Sequence, residues 1–438
     1  KNRSVLFSMT KKIKYIEPLH FYQMYECLHA ERFFWKNDDG SNWIIGLGAA
    51  HSIAGTQTHN RFQEVKKQWH TLLLNAQVDN PYEVEGTGPL IFGGFSFDPL
   101  SKKEPEWELY EDYLFYLPRY MLTVVDNEWY LTVNSLNDDH VLLQKKMKDF
   151  LMKLTSNQMN QSEMQTFSSE EIGVDEWLKA VEDIVDELKS TELKKVVLAR
   201  KLNMQCTNQI SSESVINNLL EQQPTGFTFS LTAKSSSFLG ASPERLVKKT
   251  KDYILSDSLA GSMARSKDQN EDDELGEMLL NDHKNLFEHE LVVAMIEDAL
   301  IPYCTNIHVP NKPKLLKMPD IQHLYTPIIG TAKKDTSIFD IVQELHPTPA
   351  LGGVPTKAAM VKIREREEMD RGFYAAPIGW TDYRGNGEFV VAIRSGLVEE
   401  NNAILFAGCG LVADSKSEEE LVETGIKFQP MLRALKGE

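Results

Sequence analysis

Two helical segments carry carboxylates on faces where apolar side chains are expected. Glu288 is followed by Leu291, Val292, Met295 and Ala299 at i+3, i+4, i+7 and i+11, the apolar face of its helix. A carboxylate there needs a partner, because an unpaired charge is too costly to bury. Near the C-terminus Glu420, Glu423 and Lys427 lie at i, i+3 and i+7 and share one face. Each has an ordinary structural explanation. Glu288 suits a solvated flank or a buried salt bridge, Ser417 with Glu420 reads as a capping box, and Glu423 can pair with Lys427. Taken together, helix-borne glutamates from two distant segments are what a hydrated Mg²⁺ site uses, with waters and ligand oxygens completing the shell. Zinc or copper would favour His or Cys, but His283 and His289 are six apart rather than four, and both are expected on the helix surface. Lys195 ahead of VVLAR and Glu244 within GASPERL stand at the edges of strand-rich segments. Spacing alone assigns them nothing beyond a solvated lysine and a turn.

The elements that must position these residues read as α+β. Up to about residue 150 the apolar runs are short and often alternating, as in NWIIGLG and PLIFGGFSFD, which predicts a sheet-rich part with a few helices. A helix is expected over Asp139 to Lys153, then a polar stretch that places a boundary near residues 155 to 170. That divides the chain into an N-terminal region, 1–165, and a C-terminal region, 170–438, which holds the candidate chemistry. Helical spacing covers Val174 to Lys189, Glu271 to Ile301, Ser337 to Leu345, Thr356 to Met369 and Ser417 to Leu435. Strands are expected in LKKVVLARKLNM, GFTFSLTA, GFYAAPIGWTD, GEFVVAIRSGLV and AILFAGCGLVA. Tight connections such as RGNG and EENN imply antiparallel pairing, whereas a doubly wound sheet would place a helix between successive strands.

At 438 residues the chain can bury a large core, and its composition is that of an ordinary globular protein. The net charge of −17, with no dense basic stripe, disfavours nucleic acid as a partner. Cys27, Cys206, Cys304 and Cys409 are scattered without a CxxC pair, which fits a reducing cytoplasm and neither a disulfide framework nor a zinc site. The longest apolar stretch, Ala403 to Ala413, is about half of the ~20 residues a membrane span requires, and no signal-peptide core is read near the start.

The motifs KVVLAR, FLGASPERL, LAGS, FEHELVV, HPTPALGG, GWTD, FVVAIRSGL, AGCGLV and ETGIK, in that order between Val174 and Lys436, resemble the chorismate-utilising enzyme family. KVVLAR with GASPE looks like its isochorismate synthase branch, and GGFSFD and YLPRYML look like the menaquinone form. The resemblance implies the chorismate-binding fold, with layered antiparallel sheets and helices packed outside. It implies a magnesium-dependent isomerase that adds water to C2 of chorismate and expels the C4 hydroxyl. By it, Lys195 is the general base and Glu244 the acid, so Lys195 must be available neutral and Glu244 must hold a proton; burial pushes both that way. Glu288 and Glu423 match metal ligands, Glu420 a position that acts through a water, and Asn285 stands where some members carry a carboxylate. Lys427 and the backbone N–H groups near Gly261 and Ser262 would hold the ring carboxylate. Arg394, with Tyr374 and Gly408, matches the clamp for the enolpyruvyl carboxylate.

Within the family, Ala260 in LAGS stands where aminodeoxychorismate synthases carry a nucleophilic lysine. Lys195 and the absence of an LLES motif set the chain apart from anthranilate synthases, so no glutamine amidotransferase partner is implied. Ala350 in HPTPALGG favours stopping at isochorismate over going on to salicylate. Supply of a siderophore pathway and a non-catalytic chorismate-binding scaffold are the remaining alternatives. A monomer or weak dimer is expected.

Overall fold

The computed structural model describes residues 5–24, 31–56, 59–154 and 166–437. Cys27 and most of the expected boundary lie outside these residues. Two runs of strands diverge from one long antiparallel pair, Asn42–Gly55 with Tyr113–Val125. The first run passes through Arg32–Lys36, Phe227–Ala233, Ser236–Ser242, Ser395–Glu399, Asn402–Leu411 and Lys195–Cys206. The second passes through Leu90–Phe95, Pro377–Asp382, Gly387–Val391, Arg245–Thr250, Tyr253–Ala264 and Ile321–Ala332. Among the described residues every pairing is antiparallel except Leu6–Ile13 with Gln77–Asp79. Strands from before residue 150 thus sit in the same hydrogen-bonded runs as strands from the C-terminal region.

An aromatic core fills the space between the runs. Phe33 of the first stacks on Phe92 of the second at 4.5 Å between ring centroids, and Phe33, Trp35, Phe92 and Phe115 are all fully buried. Two short connections carry the chain directly from a strand of one run into a strand of the other. Ser236–Ser242 passes through Pro243 and Glu244 into Arg245–Thr250, and Gly387–Val391 passes through Ala392 to Arg394 into Ser395–Glu399. The stretch expected as one strand, GEFVVAIRSGLV, is therefore two, and Arg394 at the bend has a left-handed φ of 51°. The connections are bonded to each other: the Val391 N–H donates to Glu244 O at 3.0 Å and the Ala241 N–H to Arg394 O at 3.1 Å.

The expected helix from Glu271 to Ile301 is also two, Gln269–Asn281 and His283–Leu300. Asp282 separates them with extended backbone, and its side chain accepts from the Asn285 N–H at 2.8 Å, an N-cap that starts the second helix. GFYAAPIGWTD is strand only over Pro377–Asp382, and the helix after Thr356 ends at Arg366. The last helix, Ser417–Lys436, does not form the expected capping box. Its N-cap is Lys416, and the Ser417 hydroxyl instead donates to Glu182 Oε1 at 3.2 Å.

Candidate active site

The two crossovers put Glu244 and Arg394 side by side on the wall of a small polar cavity. Gly261, Ser262, Glu288, Tyr374, Gly408, Glu423 and Lys427 line it too, as do Ala260, Asn285 and Ala350. Of the residues singled out from sequence, only Lys195 and Glu420 stand one step behind. Lys195, first in its strand and fully buried, donates from Nζ to Glu288 Oε1 at 2.7 Å, and Glu420 accepts from Lys284 Nζ at 3.2 Å. The cavity measures about 60 Å³, against roughly 300 Å³ at the low end of small-molecule pockets.

Three carboxylates and three lysines meet here as one-to-one pairs: Lys195 with Glu288, Lys284 with Glu420, and Lys427 with Glu423 at 2.6 Å. Lys427 also donates to Gly408 O at 2.9 Å, which fixes the ammonium between the last helix and its neighbouring strand. Burial raises the Glu420 carboxyl above its ordinary range, and the nearby charge of Glu423 adds to this. Burial acts on Glu423 the same way, yet Lys427, Lys284 and Arg394 outweigh it and hold Glu423 low.

Glu244 has no such partner. Burial pushes its carboxyl up to about 8, Asp257 adds to the rise, and Lys195, Arg394 and Lys427 only moderate it. At neutral pH Glu244 carries a proton and can give it away.

Three residues that sequence reasoning missed complete the wall. Lys284, at i−4 from Glu288, is a helical neighbour that spacing could have flagged. At Gly410, a Cβ would stand 2.5 Å from Glu288 Oε1 and 2.8 Å from Lys195 Cε, so glycine makes room for that pair. His323 is bonded to Ser262 Oγ through Nδ1 at 2.9 Å and lies 3.4 Å from Arg394 Nη2 through Nε2. Burial, then Arg394 and Lys427, keeps His323 neutral. A guanidinium can only donate, so Nε2 accepts and Nδ1–H donates to Ser262, leaving the Ser262 hydroxyl hydrogen free. Gly261, at φ 83°, turns the chain so that the Ser262 N–H reaches Asn285 Oδ1 at 3.1 Å. That N–H is therefore already engaged.

His289 corrects an expectation. It is 2% exposed rather than on the helix surface, with its ring nitrogens on Ala260 O and Thr326 Oγ1 at 3.0 and 2.8 Å, and burial lowers its pKa to about 4. His283 is exposed, as expected.

Among the described residues no three His, Cys, Asp or Glu side chains converge as a preformed metal cage. Two wall carboxylates with room for ligand oxygens are nonetheless a donor set that suits magnesium, which keeps waters and borrows substrate oxygens.

A family profile described as "Chorismate binding enzyme" matches residues 1–436. The chain belongs to that family. Among its relatives, isochorismate synthase MenF of Bacillus subtilis is 40% identical over 446 aligned residues, spanning 100% of this chain and 95% of the relative. The salicylate biosynthesis isochorismate synthase of Pseudomonas aeruginosa is 33% identical, spanning 99% and 91%. The solved structure of MenF, the menaquinone-specific isochorismate synthase from Escherichia coli, matches with a TM-score of 0.82 over 98% of this chain and 94% of that one. At 23% identity, that likeness bears on the fold, which is the layered antiparallel α+β architecture of chorismate-binding enzymes.

Proposed function

We propose that this enzyme is an isochorismate synthase, an isomerase that takes water to C2 of chorismate and releases the C4 hydroxyl as water, in supply of menaquinone synthesis. The observation that carries this is Glu244, buried on the cavity wall and protonated up to about pH 8, as an acid that protonates a departing hydroxyl must be. The full-length 40% identity to an isochorismate synthase supports the same reading. In it Lys195, once parted from Glu288 and with its extra proton released to solvent, accepts the proton of the attacking water as its oxygen bonds to C2. The ring double bonds shift, and the C4–O bond breaks as Glu244 delivers its proton. Arg394, backed by His323 and Tyr374, receives the enolpyruvyl carboxylate, and Lys427 with the Gly261–Ser262 segment faces the ring carboxylate.

Glu288 and Glu423 would hold Mg²⁺, with Glu420 behind them. When bound, the cation supplies charge neutralisation to the ring carboxylate. The lysines that now hold these carboxylates keep them oriented. In this reading the enzyme acts in the cytoplasm without a glutamine amidotransferase; no described helix is long and apolar enough to cross a membrane.

The test is product analysis of purified protein with chorismate and Mg²⁺. Isochorismate without pyruvate is expected; stoichiometric pyruvate with salicylate would assign the salicylate synthase reaction instead, and no turnover would leave the scaffold reading.

A further inference from the structure

A second cleft, of about 730 Å³, opens between the helix Arg61–Leu73, the start of the helix Ile338–Leu345 and the turn that joins Pro377–Asp382 to Gly387–Val391. Its lining mixes apolar and basic side chains: Trp69 and Phe339, both almost fully buried, reach it only by their edges, with Leu73 and Tyr383 beside them. Lys67, His70, Lys249 and Arg384 line it, and among the described residues none of the four forms an ion pair. Lys249 is half-buried, and its ammonium donates to the carbonyls of Lys251 and Gly385, at 2.5 and 3.4 Å. Burial lowers its pKa, with Asp382 and Asp252 opposing the drop. Arg384 lies over the Tyr383 ring at 4.8 Å and donates to Tyr82 O.

The acids at this cleft act on Lys249 only from a distance and form no ion pair with these four groups. Asp340 is taken up by Lys66, Gln63 and the Ser337 N–H, and Asp382 spends its oxygens on Asn386 and on the backbone of Gly86 and Arg384. Only the exposed Asp335 remains. In a chain of net charge −17, three cations and an imidazole that form no ion pair among the described residues, beside apolar and aromatic side chains, make a local site for an anion with a flat apolar body.

We propose that this cleft is an effector site for a small aromatic carboxylate. It is distinct from the chorismate cavity, yet the elements that form it run there. Lys249 lies on the strand that begins directly after Glu244, the turn at Arg384 feeds the strand that leads to Arg394, and the helix Ile338–Leu345 leads to Ala350. A ligand that spans the cleft ties these three together and so acts on the cavity wall from behind.

The probe is trans-cinnamate, with cinnamyl alcohol and inorganic phosphate as controls, bound to the full chain in calorimetry and added to the chorismate turnover assay. Cinnamate is expected to bind and to shift kcat or KM, and both controls are expected to be inert. Lys249→Gln should weaken binding about tenfold or more, and so should Lys67→Gln with Arg384→Gln, two exposed changes that leave folding and basal turnover intact. Arg394→Gln should leave binding unchanged. Absent binding, equal binding of either control, loss of binding in Arg394→Gln, or unchanged kinetics at saturating cinnamate would each overturn the proposal.

Discussion

Two clusters of buried charge lie on opposite faces of the Glu244–Arg245 peptide, and they are built in opposite ways. On the Arg245 side one cation holds three acids: Nε donates to Glu388 at 2.8 Å, Nη1 to Asp257 at 3.0 Å and Nη2 to both oxygens of Asp38 at 3.1 Å. On the Glu244 side three lysines hold three glutamates singly, beside a protonated acid that has no counter-ion. A guanidinium fork with all three nitrogens engaged is a rigid knot, whereas an ammonium on one carboxylate can let go when another ligand arrives. The difference separates charge that fixes the backbone from charge kept available for exchange.

The sharpest way to break this contrast is to neutralise one residue on each side. Glu244→Gln keeps shape and, at pH 7, charge, so kcat should fall by about 10²- to 10⁴-fold while the melting temperature stays put. Retention of a tenth or more of wild-type turnover would remove Glu244 as the proton donor. Arg245→Met should do the reverse. It strands Asp257 and Glu388, both almost fully buried, and should cost about 3–5 kcal/mol in denaturant unfolding, with kcat per folded molecule within about tenfold of wild type. Lost turnover at unchanged stability would move Arg245 into the catalytic group.

A pH series sharpens the same point with a smaller effect. The Glu244 carboxyl titrates at about 8 when folded against 4.5 as its ordinary value, so its contribution to stability is complete below about pH 4.5 and is lost as pH rises through about 8. Wild type should therefore lose stability relative to Glu244→Gln across that window, and kcat/KM should decline on the alkaline side with a midpoint near 8. A flat stability difference would show that the carboxyl is ionised in the fold. The smallest change is expected from Lys284→Met. Its pair with Glu420 is one-third exposed on the lysine side but buried on the glutamate side, where the stranded carboxyl can take up a proton, so stability should fall by about 1–3 kcal/mol. Removing a competing cation should also strengthen the apparent Mg²⁺ affinity severalfold in a titration of activity.

Sequence made the local elements legible where periodicity was strong, as at Val174–Ser190, Lys195–Cys206 and Asn402–Leu411. It failed where one residue overrides a pattern. Asp282 caps a new helix inside an apparently continuous one, and Arg394 bends an apparently continuous strand. His289 was placed outside because the apolar face seemed to centre on Glu288. The buried face is instead His289, Val292, Ile296 and Leu300, one position round, and neutral imidazole is accepted there because both nitrogens are bonded. The site residues were largely found through motif resemblance. What stayed hidden was their pairing, since Lys195 with Glu288 and Lys284 with Glu420 join positions 93 and 136 residues apart. The strand pairs that tie residues before 100 to the catalytic region, Arg32–Lys36 with Phe227–Ala233 and Leu90–Phe95 with Pro377–Asp382, are equally non-local.

That last pair sets a clock. Leu90–Phe95 is buried at all six positions and finds one neighbour soon, at Tyr113–Val125. Its other edge is covered only by Pro377–Asp382, which a ribosome working at ~5–20 residues per second delivers on the order of tens of seconds later. Throughout that interval the nascent chain carries an open, apolar strand edge, and a cell making this enzyme must shield LIFGGF from its copies on neighbouring ribosomes until the partner strand arrives.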